Sequence, residues 1–156
     1  MKLKIGLFSF TCCEGCIVTF IEVLNKRYFD YLEKIEIVNF RALRTSPKVE
    51  EMDIAFVEGA ISTDSELRKL KEIRKKTKKL VALGSAAVNG YPSNQRNDFD
   101  KEKNERIREV LERMKQRKKI SPVTELVKVD DEINGCPVDQ NLFMDKLDEY
   151  LGIKKS

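Results

Sequence analysis

Short apolar runs alternate with amphipathic stretches along this chain, and that alternation limits its fold more than any other feature. "LKIGLFSF" (residues 3–10), "KIEIVNFRAL" (34–43), "DIAFVEGA" (53–60) and "KKLVALGS" (78–85) have the length and aliphatic or aromatic content of buried strands. Between them, apolar residues recur at helical spacing. Residues 16–31 place Ile17, Phe20, Ile21, Leu24, Tyr28 and Tyr31 on one side, and residues 62–77 open with capping residues and carry Leu67, Leu70 and Ile73. A charged stretch, residues 101–119, has an apolar stripe of Ile107, Val110, Leu111 and Met114, and residues 139–152 close as an amphipathic helix. "RTSPKVEE" breaks the pattern with a proline-containing connection, "NGYPSNQRNDFD" is a polar loop, and "ELVKVDDEINGCP" offers a last short strand. Strands alternating with helices predict an α/β fold: a doubly wound, flavodoxin-like parallel sheet with helices on both faces, in one domain spanning residues 1–156.

The charge balance narrows the classes of partner. The net charge of +4 comes from 30 basic and 26 acidic residues, an intermixture that suits ion-paired helix surfaces better than a nucleic-acid footprint. The basic runs "RKKTKK" and "KQRKK" read first as solvated helix ends, with docking to an acidic partner as the second use. No apolar run reaches the roughly 18 residues of a membrane helix, so no direct membrane span is expected. The N-terminal apolar stretch is too short for a secretory signal, and a cytoplasmic location is expected.

In doubly wound sheets ligands bind beyond the carboxyl ends of the strands. The chain's unusual residues fall there: Cys12, Cys13 and Cys16 follow the first apolar run, Gly59 the third, Gly84 and Gly90 the fourth, and Gly135 with Cys136 the last. Clustered cysteines in a reducing compartment serve metals or redox chemistry more often than structural disulfides. Iron-sulfur clusters use cysteine thiolates, usually four, and a Cys-x-x-Cys pair at Cys13 and Cys16 plus distant sulfurs suits one. Zinc also accepts four cysteines, although a first Cys-x-x-Cys is normally answered by a second pair and Cys136 stands alone. A thioredoxin-like dithiol at Cys13 and Cys16, on a helix N-terminus, is a third use, and ordinary buried thiols are the plainest one. Glu58, at a strand end, is placed to accept backbone hydrogen bonds and brace these loops, or else is a solvated loop acid.

Four motifs in order, "CEGC", "VEGAIST", "ALGSAA" and "INGCPVD", make residues 4–151 resemble the small subunit of nickel-iron hydrogenases and the related 20-kDa subunit of respiratory complex I. The likeness is to the short small subunits of multi-subunit cytosolic or archaeal hydrogenases. The resemblance implies a flavodoxin-like domain holding a 4Fe-4S cluster next to the metal centre of a hydrogenase-like large subunit, with further iron-sulfur or flavin subunits carrying electrons onward. It implies Cys13, Cys16 and Cys136 as cluster ligands, Glu58 beside the cluster, and Pro137 fixing the turn after Cys136 and shielding the site. The family's Gly-x-Cys-Ala pattern falls on Gly84, Ser85, Ala86 and Ala87, so an alanine stands at the third ligand position. An alanine methyl cannot bind iron. Cys12, as in the tandem cysteines of the complex I relatives, the Ser85 oxygen or a water are the candidate replacements, and a three-iron cluster or no cluster are the other outcomes.

The expected function is electron transfer within a hydrogenase-like complex, with no catalytic residue of its own. The alternatives are a cluster-less structural or assembly subunit, and a thiol-disulfide oxidoreductase at Cys13 and Cys16.

Overall fold

A computed structural model describes residues 2–40 and 48–153. Its first half runs β1 (Leu3–Ser9), α1 (Gly15–Lys26), α2 (Tyr28–Leu32), β2 (Ile35–Phe40), β3 (Met52–Glu58), β4 (Ile61–Thr63) and α3 (Asp64–Lys76). The second half runs β5 (Thr77–Leu83), α4 (Ser85–Val88), α5 (Lys101–Arg113), β6 (Gln116–Ser121), β7 (Asp131–Ile133) and α6 (Gln140–Leu151). Five strands form one sheet in the order β2-β1-β3-β5-β7, every neighbouring pair parallel. Counting only these strands, the order is 2-1-3-4-5, the doubly wound flavodoxin-like arrangement.

Both faces of the sheet are covered because the central strands bury residues of either parity. Ile5, Leu7, Ile54, Phe56, Val81 and Leu83 pack with Ile17, Phe20 and Val23 of α1 and with Phe143 and Leu147 of α6. Ala55, Val57, Leu80 and Ala82 pack on the other face with Leu70 and Ile73 of α3, Ala87 of α4 and Val123. The first face is aromatic: the Phe143 ring centroid lies 5.6 Å from that of Phe20 and 5.4 Å from that of Phe56. Fully burying a side chain of this kind contributes about 1.5–3 kcal/mol. Strong packing beneath α1 gives the cysteine-bearing end of that helix a rigid base.

β2 departs from simple alternation. Ile35, Ile37 and Phe40 share a face although Phe40 is three residues beyond Ile37, and Val38 joins the opposite cluster. The register steps from Ile5↔Ile37 to Gly6↔Asn39, so β2 carries one extra residue and the bulge restores Phe40 to the α1 side. The predicted end of this strand at residue 43, and the first half of the proline-containing connection after it, lie outside the described residues.

Three expectations change. The helix predicted over residues 16–31 is two helices, α1 and α2, which meet at Arg27. Arg27 there pairs with Asp30 and with the buried Asp148 of α6, which also accepts the Tyr31 hydroxyl at 2.7 Å. The charged helix stops at Arg113, because Lys115 takes a positive φ of 52° and the chain turns back as β6, paired antiparallel with β4. "KQRKK" therefore lies on a turn and a strand rather than a helix end. "RKKTKK" likewise divides between the last turn of α3 and the start of β5. The apolar stripe of α5 stays largely outside: none of its residues is buried, and Val110 and Met114 are exposed.

Candidate functional site

β1 and β3 lie side by side, with Ser9 opposite Glu58 at their carboxyl ends. Their connections diverge: β1 leads through α1 to β2 on one side, and β3 leads through α3 to β5 on the other. The crevice opened by this divergence is where the first cysteines sit. Phe10 N donates to Glu58 O at 2.9 Å, and Thr11 and Ala60 exchange two backbone bonds of 3.0 Å. Gly59 is required at this close approach: its φ is +94°, and a Cβ would stand 3.0 Å from the Phe10 carbonyl carbon.

The start of α1 lacks an ordinary cap. Glu14 occupies the cap position at φ 61° and makes no side-chain bond to the helix. Glu58 does the work instead, its Oε1 accepting from Cys16 N at 3.1 Å and its Oε2 from Ile17 N at 3.2 Å. A carboxylate there satisfies helix N–H groups that have no partner within the helix and complements the positive end of its dipole. Glu58 is only 2% exposed, so it is not a solvated loop acid. Burial pushes its carboxyl above the usual glutamate range, and the two N–H bonds pull the other way.

The loops after β1, β5 and β7 meet over this crevice. Gly84 N donates to Ile133 O and Ser85 N to Gly135 O, each at 2.8 Å, which ties the loop of the expected third ligand to the loop of Cys136. Cys12, Cys13, Cys16 and Cys136 line one narrow pocket of about 50 Å³ together with Glu58, Ser85, Ala86, Pro92, Ser93 and Pro137. Every site residue read from the sequence is thus in one place. All four thiols are free; Cys13 and Cys136 are exposed, Cys12 is half-buried and Cys16 is buried. Burial pushes the Cys12 and Cys16 thiols up to about 12.

The two protein groups considered as replacement ligands are already engaged. Cys12 Sγ donates to Phe10 O at 3.6 Å, and Ser85 Oγ donates to Asn134 Oδ1 at 2.8 Å. Gly84 has φ +83°, and a Cβ on it would meet Cys16 Sγ at 2.5 Å, so the absent side chain makes room for the sulfur. Pro137 is not the first residue of a helix. It sits in a tight turn closed by the Gly135–Val138 bridge, while Asp139 caps α6 by accepting from Asn141 N and Leu142 N. A Cβ on Gly15 would come within 3.6 Å of Pro137 Cβ, so the turn after Cys136 packs close to the turn before Cys16.

Among the described residues no three cysteine or carboxylate side chains converge closely enough to hold a single ion. The sulfurs surround a pocket instead. A tetrahedral zinc site draws its four ligands to about 2.0–2.3 Å of one centre. Four thiols from two loops are donors of the kind that sulfur-bridged iron groups use, so the residues present fit such a group by their chemistry.

Sequence reading did not pick out Pro92 and Ser93, which lay in a segment read as a polar loop. Ser93 Oγ donates to Thr11 O at 3.0 Å, fastening that loop to the residue before Cys12. Downstream, Asn97 exchanges bonds with Ile120 N and O, and Arg96 donates to Arg117 O and Lys118 O. These paired side-chain and backbone contacts dock the loop on β6. The cue was the dense run of amide, hydroxyl and guanidinium groups in "SNQRN".

Among proteins of known role, the chain is 33% identical over 156 residues to the sulfhydrogenase 2 subunit delta of Pyrococcus furiosus, covering 97% of this chain and 64% of that one. It is 25% identical to the NAD-reducing hydrogenase HoxS subunit delta of Cupriavidus necator, covering 96% and 79%. It is 32% identical over 141 residues to the coenzyme F420 hydrogenase subunit gamma of Methanosarcina barkeri, covering 87% and 49%. The chain thus spans 64% of the length of the first of these relatives and 49% of the last. A solved NAD+-reducing [NiFe]-hydrogenase in the H2-reduced state contains a chain of the same fold, with TM-score 0.84 and 23% identity over 99% of this chain and 94% of that one. Residues 13–150 match the profile of the NADH ubiquinone oxidoreductase, 20 Kd subunit family, and the chain belongs to that family.

Proposed function

We propose that this chain is an electron-transfer subunit of a nickel-iron hydrogenase-like complex, and that Cys13, Cys16 and Cys136 hold an iron-sulfur cluster beside a catalytic large subunit. The observation that carries the proposal is the gathering of four thiols, from loops far apart in sequence, around one pocket at the divergence of β1 and β3. An iron-sulfur group bound there would accept and release single electrons. The chain's own residues do the rest. Glu58 fixes the start of α1 and with it Cys16, the Gly135–Val138 turn presents Cys136, and Gly84 leaves room for the Cys16 sulfur. Cys13, Cys136 and Pro137 are exposed, which turns one wall of the pocket toward a partner subunit, where electron exchange requires close approach.

Ala86 leaves the corner that the family fills with cysteine without a sulfur, and Cys12, the remaining thiol of the same pocket, would serve it on giving up its bond to Phe10 O. The test is metal analysis of the chain after anaerobic reconstitution, with Cys12→Ala and Ala86→Cys beside it. Iron with labile sulfide in the wild-type chain supports the proposal, and loss of one iron in Cys12→Ala assigns the fourth corner.

Ala86 also favours a second reading, a cluster-less subunit that keeps the fold as a scaffold. That reading predicts no iron in the wild-type chain and iron only once Ala86→Cys restores the missing sulfur. The dithiol oxidoreductase has less support: it uses Cys13 and Cys16 alone and gives no role to Cys12 and Cys136, which line the same pocket.

A further inference from the structure

Glu58 secures only the helix side of the loop that carries Cys12 and Cys13. The strand side depends on Thr11, whose backbone is paired with Ala60. Its side chain enters a separate network. Thr11 Oγ1 lies 2.6 Å from Ser62 Oγ and 3.1 Å from Glu66 Oε1. Glu66 Oε2 accepts from Ser62 N at 2.7 Å, from Thr63 N at 3.0 Å and from Ser62 Oγ at 3.0 Å. Each hydroxyl has one proton to give, so the donors run from Thr11 through Ser62, or from Ser62 through Thr11, and in either order end on the carboxylate.

Glu66 also closes the capping box of α3 with Thr63, and an ordinary helix cap needs only that exchange. The bonds to Ser62 and Thr11 go beyond it. They reach across from β4 to the residue immediately before Cys12, and Ser93 also holds that residue through Thr11 O. The loop of residues 12–14 is therefore suspended between two carboxylates, Glu58 at its helix end and Glu66 at its strand end.

We infer that Glu66 is a positioning residue for the cysteine pocket: through Thr11 and Ser62 it fixes the strand side of the loop and so sets where Cys12 and Cys13 stand around a bound iron-sulfur group. This inference rests on the cluster-binding function proposed above. Its probe is Thr11→Val, which removes the linking hydroxyl, keeps the side-chain shape and leaves the α3 cap intact. Thr11→Ser serves as the conservative rescue, and Glu66→Gln tests the carboxylate itself.

Two readouts are taken on the full chain: amide hydrogen exchange of residues 11–15 before iron is added, and the EPR spectrum and iron content after reconstitution. Thr11→Val is expected to speed exchange in the loop about fivefold, the equivalent of one lost hydrogen bond, without faster exchange within α3. It is also expected to shift the cluster's EPR g values, and Thr11→Ser to restore both. Glu66→Gln should reproduce the loop effect and add faster exchange at the start of α3. Iron in the wild-type chain with exchange and EPR unchanged in Thr11→Val overturns this inference alone. A wild-type chain that takes up no iron overturns the proposed function and this inference with it.

Discussion

The two ends of the central sheet treat their carboxylates differently. At the carboxyl end Glu58 is 2% exposed and bonded to two backbone N–H groups of the cysteine-bearing helix. At the amino end Asp53 bonds Lys4 N at 2.9 Å and Lys78 Nζ at 2.7 Å, with side-chain exposures of 24% for Asp53 and 81% for Lys78. It sits in an open cleft of about 500 Å³ lined by Lys2, Lys4, Lys75, Lys76 and Lys78. The first arrangement fixes backbone geometry where the thiols gather. The second is an exposed ion pair of a kind that contributes little, since water and salt screen it and two long side chains must be ordered to make it.

Several substitutions can break this contrast. Glu58→Ala should have the largest effect, because it leaves the N–H groups of Cys16 and Ile17 buried without acceptors: a loss of about 3 kcal/mol in a urea titration. A change under about 0.5 kcal/mol would show that the start of α1 does not depend on Glu58. Gly84→Ala comes next. A Cβ 2.5 Å from Cys16 Sγ and a φ of +83° should together destabilise the chain by about 1–3 kcal/mol and slow its uptake of iron. Unchanged stability and uptake would mean that the loop after β5 yields freely. Ser93→Ala removes a single bond to Thr11 O and should cost about 1 kcal/mol, with faster amide exchange confined to residues 11–15 and the loop that carries Ser93.

Asp53→Asn should have the smallest effect, with a size set by pH. Lys78 and the Lys4 N–H hold the Asp53 carboxyl below the usual aspartate range. A carboxyl lowered in the folded state contributes stability that is present above its unfolded value and lost as pH falls through its folded value. Wild type and Asp53→Asn should therefore differ slightly at neutral pH and converge on acidification. A difference that widens toward acid would contradict the ion-pair assignment.

Much of this architecture was legible in the sequence. The central strands declare themselves because they are short, apolar and followed by helical spacing, and that order already placed the cysteines and Gly84 at one edge. The β4–β6 pair was not legible: β4 has three residues, and β6 begins in the lysine-rich "QRKK", which continues the composition of α5 without a break. The turn between α5 and β6 is made by Lys115 in a left-handed conformation rather than by a glycine, so the usual helix-stop signal is missing. The bulge in β2 was equally silent, because one extra residue changes which face a side chain takes without changing the composition. Of the site, the thiols and Glu58 could be named in advance from residue type and position. The Thr11–Ser62–Glu66 chain could not, because its members read as a strand end and a helix cap until the fold brings them together.

The central claim is that this edge holds an iron-sulfur group, and its most direct test is iron and acid-labile sulfide per chain after anaerobic reconstitution, with a low-temperature EPR spectrum of the same sample. The account predicts about three to four irons with matching sulfide. Four irons with a signal on reduction would mean a complete cluster with a substitute fourth ligand, and three irons with a signal in the oxidised state would mean a corner left open at Ala86. A chain that reconstitutes with neither iron nor sulfide, while keeping its folded urea transition, would contradict it.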